Sequence, residues 1–269
     1  MPGKCPAGAA PARNIVLITP NTLFVGRQLV WLPQCPSTNS EAQALVGQNR
    51  ASEGCTVITG QQTAGRGQRG NLWEAAPGEN LTLSVVLRPT FLAAAAQFAL
   101  SQAVALAAHD WAAALLGESG GLALKVKWPN DLYFNDQKLG GILIENTLGG
   151  TQIQHSVMGL GMNVNQQQFG SATAVSLAQL TGRRYPLPAV AAALLECLER
   201  RYLQLRAGQV GALRRAYLQV LYRYQETHLF EVAGQLVAGQ IVGVDEDGRL
   251  AVTIAGELRR FGLQQIRYR

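Results

Sequence analysis

The sequence predicts an α+β domain with a small β-barrel of SH3-like size appended to it. Three observations carry this reading. Short β-branched runs lie on both sides of a long Ala-rich stretch, two helical apolar repeats follow each other from 187 to 224, and from His228 the apolar period drops to two. A chain of 269 residues accommodates one large domain with a small companion. With 48% hydrophobic and 15% charged residues it is neither a disordered tail nor a solvated coiled coil, and it is expected to fold as a compact soluble protein.

Taken in order, residues 1–13, MPGKCPAGAAPAR, lack the apolar run of a signal peptide and read as a flexible N-terminal tail. CTVIT at 55–59 and LTLSVVL at 81–87 read as strands. The segment 91–116 is long enough to span a membrane, but Gln97, Ser101, Gln102, His109 and Asp110 interrupt it and most of its bulk is Ala. It reads as a buried amphipathic helix packing through Phe91, Phe98, Val104, Leu106, Trp111 and Leu115. LALKVKW at 122–128 alternates, with Leu124, Val126 and Trp128 on one face and Ala123, Lys125 and Lys127 on the other. Pro129 stops that strand, and a hairpin follows: Leu132–Phe134, a turn at 135–137, then KLGGILIEN. HSVMGLGMNVN forms a further strand ending near Asn163. Two helices over 187–208 and 209–224 part at Gly208. HLFEVA, QLVAGQIVGV, RLAVTIA and ELRRFGL then supply the small barrel. The expected divisions are 1–13, 14–225 and 226–269.

A net charge of +6 suits an anionic ligand but falls short of a nucleic-acid binder's basic stripe. Cys5, Cys35, Cys55 and Cys197 form no C-x-x-C pair and have no His at metal-ligand spacing, which points to a reduced, cytoplasmic compartment and to no metal-binding set. His109, His155 and His228 read as structural.

Four places carry chemistry. QQTAGRGQRGNLW at 61–73 follows a strand, and its glycines let backbone N–H groups approach an anion while Arg66 and Arg69 can grip carboxylate or phosphate oxygens. It is neither a P-loop nor a dinucleotide fingerprint. KVKWPNDLYFNDQKLGG at 125–141 holds three of the chain's four lysines, against nineteen arginines, so Lys stands where a compact point charge is wanted. Asp131 can meet Lys138 across the hairpin as an acid–base pair or as a simple salt bridge. In PSTNSEAQALV, Thr38 with Glu41 makes a capping box, and the same helix start presents Ser37, Thr38 and Asn39 to a polar heterocycle. GLGMN at 159–163 ends a glycine-bearing strand at Asn163.

Taken together, STN at 37–39, QTAGRG at 62–67, KWPNDLY at 127–133, KLGGI at 138–142 and GLGMN at 159–163 resemble the biotin protein ligases. KWPND followed by KLGGI is the most specific part of the likeness. The resemblance implies a mixed β-sheet with helices, related to class II aminoacyl-tRNA synthetases, and a C-terminal SH3-like β-barrel. Some family members add an N-terminal helix-turn-helix domain. Only about 35 residues precede Ser37 here, too few for one, so DNA is not an expected partner. The implied reaction forms biotinyl-5′-AMP from biotin and ATP with Mg²⁺, then transfers biotin to a lysine of a biotin carboxyl carrier protein, a subunit of acetyl-CoA carboxylase. No membrane is involved, and a homodimer is admissible.

By the same resemblance Ser37, Thr38, Asn39, Gln62, Arg66, Gly67, Gln68 and Lys138 would bind biotin. ATP and the adenylate would meet Arg66, Arg69, Trp73, Lys127, Asn130, Lys138 and Asn163, while Lys138, Asp131, Arg66 and Arg69 would be catalytic. The family usually has Arg at the position of Gln68 and often at that of Asn71. The nearest alternative is a lipoate or octanoate ligase or transferase of the same superfamily. An Arg-rich RNA-binding loop would leave the lysine cluster unexplained.

Overall fold

A computed structural model describes residues 18–269, apart from the side chains of Arg69 and Ser119. The tail expected over 1–13, with Cys5, lies outside the described residues. The first seven strands are β1 (Leu29–Leu32), β2 (Thr56–Thr59), β3 (Leu81–Leu87), β4 (Leu124–Lys127), β5 (Asp131–Phe134), β6 (Gln137–Gly149) and β7 (Gln152–Met162). They form one sheet in the order β1-β2-β3-β7-β6-β5-β4, with β1 and β2 parallel and the other neighbours antiparallel. Five helices accompany them: α1 (Thr38–Gly47), α2 (Phe98–Ala123), α3 (Leu177–Thr181), α4 (Leu187–Arg206) and α5 (Val210–Gln219).

Alternation along β3 sorts the two faces of the sheet. Leu81, Leu83, Val85 and Leu87 enter the large core, while Val86 joins Ala42, Val57 and Val157 in a small core on the opposite face. There α1 lies against β2, β3 and β7, whereas α2 lies against β4, β5 and β6 and packs on α4 and α5. The expected amphipathic character of α2 gives way to burial on almost every side from Phe98 to Ala112, because other elements cover both of its flanks. Its apolar stretch is long enough to cross a membrane, yet 61% of the most apolar window is buried inside the protein. Phe91 precedes the helix and is 40% exposed, so it is not one of the core anchors.

Five further strands, β8 (Thr227–Val232), β9 (Gln235–Val244), β10 (Leu250–Ile254), β11 (Glu257–Phe261) and β12 (Arg267–Tyr268), pair antiparallel in the order β11-β10-β9-β8-β12. The ladder does not close between β11 and β12, so the expected barrel stands here as an open five-stranded sheet. Its inner residues Phe230, Ile241, Leu250, Val252 and Phe261 run into the large core. The turn between β9 and β10 is pinned by the Trp128 indole N–H, which donates to the Gly248 carbonyl at 2.8 Å. A side chain at Gly248, where φ is +87°, would press on the Phe98 ring.

Candidate active site

The sheet face under α1 is stripped of side chains where β6 and β7 pass. Gly141 pairs with Gly161, and Gly159 pairs with Ser84 on β3. A Cβ on Gly159 would strike the Asn39 amide, and one on Gly161 would strike the Trp73 indole. The intervening Leu160 and Met162 point into the core. The GLGM pattern therefore hollows one face of a strand while anchoring the other, and a cavity of about 340 Å³ fills the hollow.

Its floor is neutral and hydrogen-bonded. Ser37, Thr38 and Asn39 are each under 5% exposed. Ser37 is the N-cap of α1 but makes no side-chain cap bond, so the expected Thr38–Glu41 capping box is absent. The polar groups at this helix start turn to the cavity wall instead. The Thr38 backbone N–H donates to the Gln62 amide oxygen at 2.8 Å, and the Ser84 hydroxyl lies 2.7 Å from the Thr38 hydroxyl and 2.6 Å from the Asn39 amide oxygen. Asn39 in turn donates to Glu145 at 2.8 Å.

One rim is the glycine loop, folded as a small clasp in which Gly67 N–H donates to the Asn71 carbonyl at 2.7 Å and Trp73 N–H to that of Gly65 at 3.0 Å. Arg66 leaves this clasp to grip Glu145 on β6 with both nitrogens, at 3.0 and 2.9 Å. Arg66, Gly67, Gln68, Asn71 and Trp73 all border the cavity. The Arg69 side chain lies outside the described residues. The other rim is the β5–β6 hairpin. Asn135, at φ +49°, turns the chain, and a register shift after Leu132 sets Asp131 opposite Gly141. With no side chain at Gly141, the Lys138 ammonium reaches the Asp131 carboxylate at 2.7 Å. Asn130 also borders the cavity, its amide donating to the Ile142 carbonyl.

Two expected nucleotide contacts sit elsewhere. Asn163 does not border the cavity; its amide is spent on the carbonyls of Lys138 and Val175, at 3.3 and 3.1 Å, so it braces the lysine's backbone. Lys127 is likewise off the cavity, its ammonium 4.4 Å from the Tyr133 ring centroid and 4.9 Å from that of Tyr268. Burial pushes its pKa below the usual lysine range, and burial raises the Tyr133 phenol to about 12. Three features escaped the sequence reading: Ser84, Glu145, and a wall formed by Leu263, Gln264, Ile266, Arg267 and Tyr268 beside β12. A lone Ser inside the apolar run LTLSVVL is a signal for the first. The other two depend on partners far away in sequence.

Comparison with known proteins matches residues 31–163 to the biotin/lipoate A/B protein ligase family. A biotin–[acetyl-CoA-carboxylase] ligase of Mycobacterium tuberculosis is 32% identical over 86% of this chain and 85% of its own length. One from Paracoccus denitrificans is 32% identical over 81% of this chain and 91% of its own. The bifunctional ligase/repressor BirA of Bacillus subtilis is 33% identical over 67% of this chain, and the match covers 55% of that longer relative. The chain thus spans about half the length of the Bacillus relatives it matches. Among solved structures, a biotin protein ligase of Aquifex aeolicus in complex with biotin and ATP shares the fold, with a TM-score of 0.72 over 90% of this chain and 100% of that one at 21% identity.

Proposed function

Since the chain belongs to the biotin/lipoate A/B protein ligase family, we propose that it activates biotin with ATP as biotinyl-5′-AMP and transfers the biotinyl group to a lysine of a biotin carboxyl carrier protein, the acceptor subunit of acetyl-CoA carboxylase. One observation carries the reading: the cavity joins a neutral polar floor to a Lys138–Asp131 pair at its rim. A bicyclic urea has donors and acceptors for Ser37, Thr38 and Asn39, which border the cavity. An octanoyl chain or a dithiolane has none, so the floor's groups would keep only the bonds they make with one another and with Gln62 and Glu145 and would add nothing to its affinity.

In the first step the biotin carboxylate oxygen attacks the α-phosphorus of ATP, and the bond to the pyrophosphate oxygen breaks. Charge gathers on the phosphate oxygens, where the Lys138 ammonium and the guanidinium of Arg66 are placed to offset it. In the second step the acceptor amine attacks the anhydride carbonyl. A C–N bond forms, the C–O bond to AMP breaks with its electron pair leaving on AMP, and Asp131 takes the amine's proton. Mg²⁺ enters with ATP. Bound with ATP, it would offset phosphate charge; the carboxylates nearest the reacting pair, Asp131 and Glu145, are ion-paired with Lys138 and Arg66.

We place the ligase region at 14–225 and the C-terminal unit at 226–269, a division supported by the change from helices to antiparallel strands at Thr227. Cys35, Cys55 and Cys197 are free thiols, which suits a cytoplasmic setting. The test is transfer of labelled biotin to a purified carrier domain with ATP and Mg²⁺, with lipoate and octanoate run in parallel. Labelling by biotin alone is expected; labelling by octanoate or lipoate alone would overturn the reading.

A further inference from the structure

Three tyrosines from three separate segments converge on one ammonium. Lys127 ends β4, and its Nζ stands 4.4 Å from the ring centroid of Tyr133 on β5, 4.9 Å from that of Tyr268 on β12 and 5.8 Å from that of Tyr222 in the link after α5. It also donates to the Tyr133 hydroxyl at 3.2 Å. Lys127 pairs across the strands with Asp131, but the Asp131 carboxylate goes to Lys138, so rings and not a counter-ion hold the Lys127 charge.

A buried ammonium is a costly way to fill space: burial penalises its charge and lowers its pKa, and an apolar side chain of equal length would pack there more cheaply. What the charge adds is attraction to several rings at once. Two of the three ring-bearing segments are already fixed to the first sheet. Tyr133 lies within β5, and the Tyr222 backbone N–H donates to the Val126 carbonyl on β4 at 2.9 Å. The third is not. β12 has two residues, lies at an edge of the open second sheet, and pairs only with β8, through Arg267 with Glu231 and Tyr268 with Phe230. The Tyr268 hydroxyl is buried without a hydrogen-bond partner, so its ring and not its oxygen places this side chain. Yet Ile266, Arg267 and Tyr268 form part of the cavity wall.

We infer that Lys127 is a positioning residue for the nucleotide: its ammonium, caged by Tyr133, Tyr222 and Tyr268, docks the C-terminal wall onto the hairpin that carries Asp131 and Lys138. The inference rests on the ligase reading above, in which the urea takes the floor and the carboxylate meets Lys138, which leaves the wall to the nucleoside of ATP. Lys127 itself lies off the cavity and touches no substrate; it acts through Tyr268.

The test uses the full chain with Lys127→Met, which keeps the length and apolar stem of the side chain and removes its charge. Biotin-dependent ATP–pyrophosphate exchange gives KM for ATP and for biotin separately. The KM for ATP should rise at least about 10-fold, while that for biotin stays within about 2-fold, which also reports an intact floor. Tyr268→Leu, which removes a ring and leaves the ammonium, should raise the KM for ATP as well, and the double variant should be no worse than the worse single one, because the two side chains make one contact. An unchanged KM for ATP in Lys127→Met, equal rises for ATP and biotin, or losses that multiply in the double variant would overturn the inference and leave the ligase reading intact. Absence of biotin-dependent exchange in the parent protein would overturn both.

Discussion

The floor and the rim of the cavity solve opposite problems. On the floor Ser37, Thr38 and Asn39, backed by Ser84, are nearly sealed from water and carry no charge. On the rim Arg66–Glu145 and Lys138–Asp131 are full ion pairs whose side chains remain 22–44% exposed. A buried amide or hydroxyl stripped of its partner costs about 1–3 kcal/mol, so under the proposed function a ligand that breaks the floor's internal bonds must replace them. Half-exposed ion pairs are held by about 1 kcal/mol or less, so the rim can exchange partners as charge moves during reaction. Under the proposed function, rigid neutrality would select and loosely held charge would react.

This contrast is open to attack from both sides. The largest expected effect lies at the rim: Lys138→Ala should lower biotin-dependent ATP–pyrophosphate exchange at least about 10²-fold, the scale for losing one electrostatic stabiliser, and unchanged exchange would sink the assignment. On the floor, Asn39→Ala should raise the KM for biotin about 30-fold, the equivalent of about 2 kcal/mol, with kcat little changed. A fall in kcat at constant KM would instead make Asn39 part of the reacting machinery and erase the division. Gln68 borders the cavity at a neutral position on the rim. Gln68→Arg should slow dissociation of the adenylate about 10-fold, since charge-assisted contacts exceed neutral ones; stopped-flow release that is equal or faster would mean another cation already serves that position. The smallest effect is expected at Glu145. Glu145→Gln keeps the bond to Asn39 but drops the charge facing Arg66, so cleavage of the loop after Arg66 by trypsin should quicken about 5-fold, and less at high salt. An unaltered rate would show that the clasp's backbone bonds alone hold the loop.

What could be read from sequence follows the reach of the interactions concerned. LTLSVVL coincides with β3 because all seven residues are buried and strand-forming. LVWL at 29–32 escaped notice, being an edge strand of only four half-buried residues that is too short to show alternation. The α3 capping box of Ser176 and Gln179 was equally missed, while one was expected at Thr38–Glu41, where it does not form. Local spacing makes both sites eligible, and only the tertiary partners Gln62 and Ser84 decide that Thr38 faces a cavity. Most nominated site residues do border it, since the hollowing glycines and the hairpin are local features. Lys127 and Asn163 do not, because Tyr268, 141 residues on, closes over the first beside its hairpin neighbour Tyr133, and the carbonyls of Lys138 and Val175 hold the second. Glu145 lies 79 residues from Arg66, beyond any motif.

The placement of the indoles gives the molecule an optical consequence. Of its four tryptophans, Trp111 sits in the helical layer with its N–H on the Val190 carbonyl, and Trp31 lies on the edge strand. Trp73 and Trp128 border the cavity. The Lys138 ammonium stands 5.8 Å from the Trp73 ring centroid, close enough for its field to tune that indole's emission. Filling the cavity should therefore recolour two emitters against two constant ones. With Trp73 replaced by Phe, the change on filling the cavity would belong to Trp128, so the protein's own fluorescence can time a ligand's arrival without an attached dye.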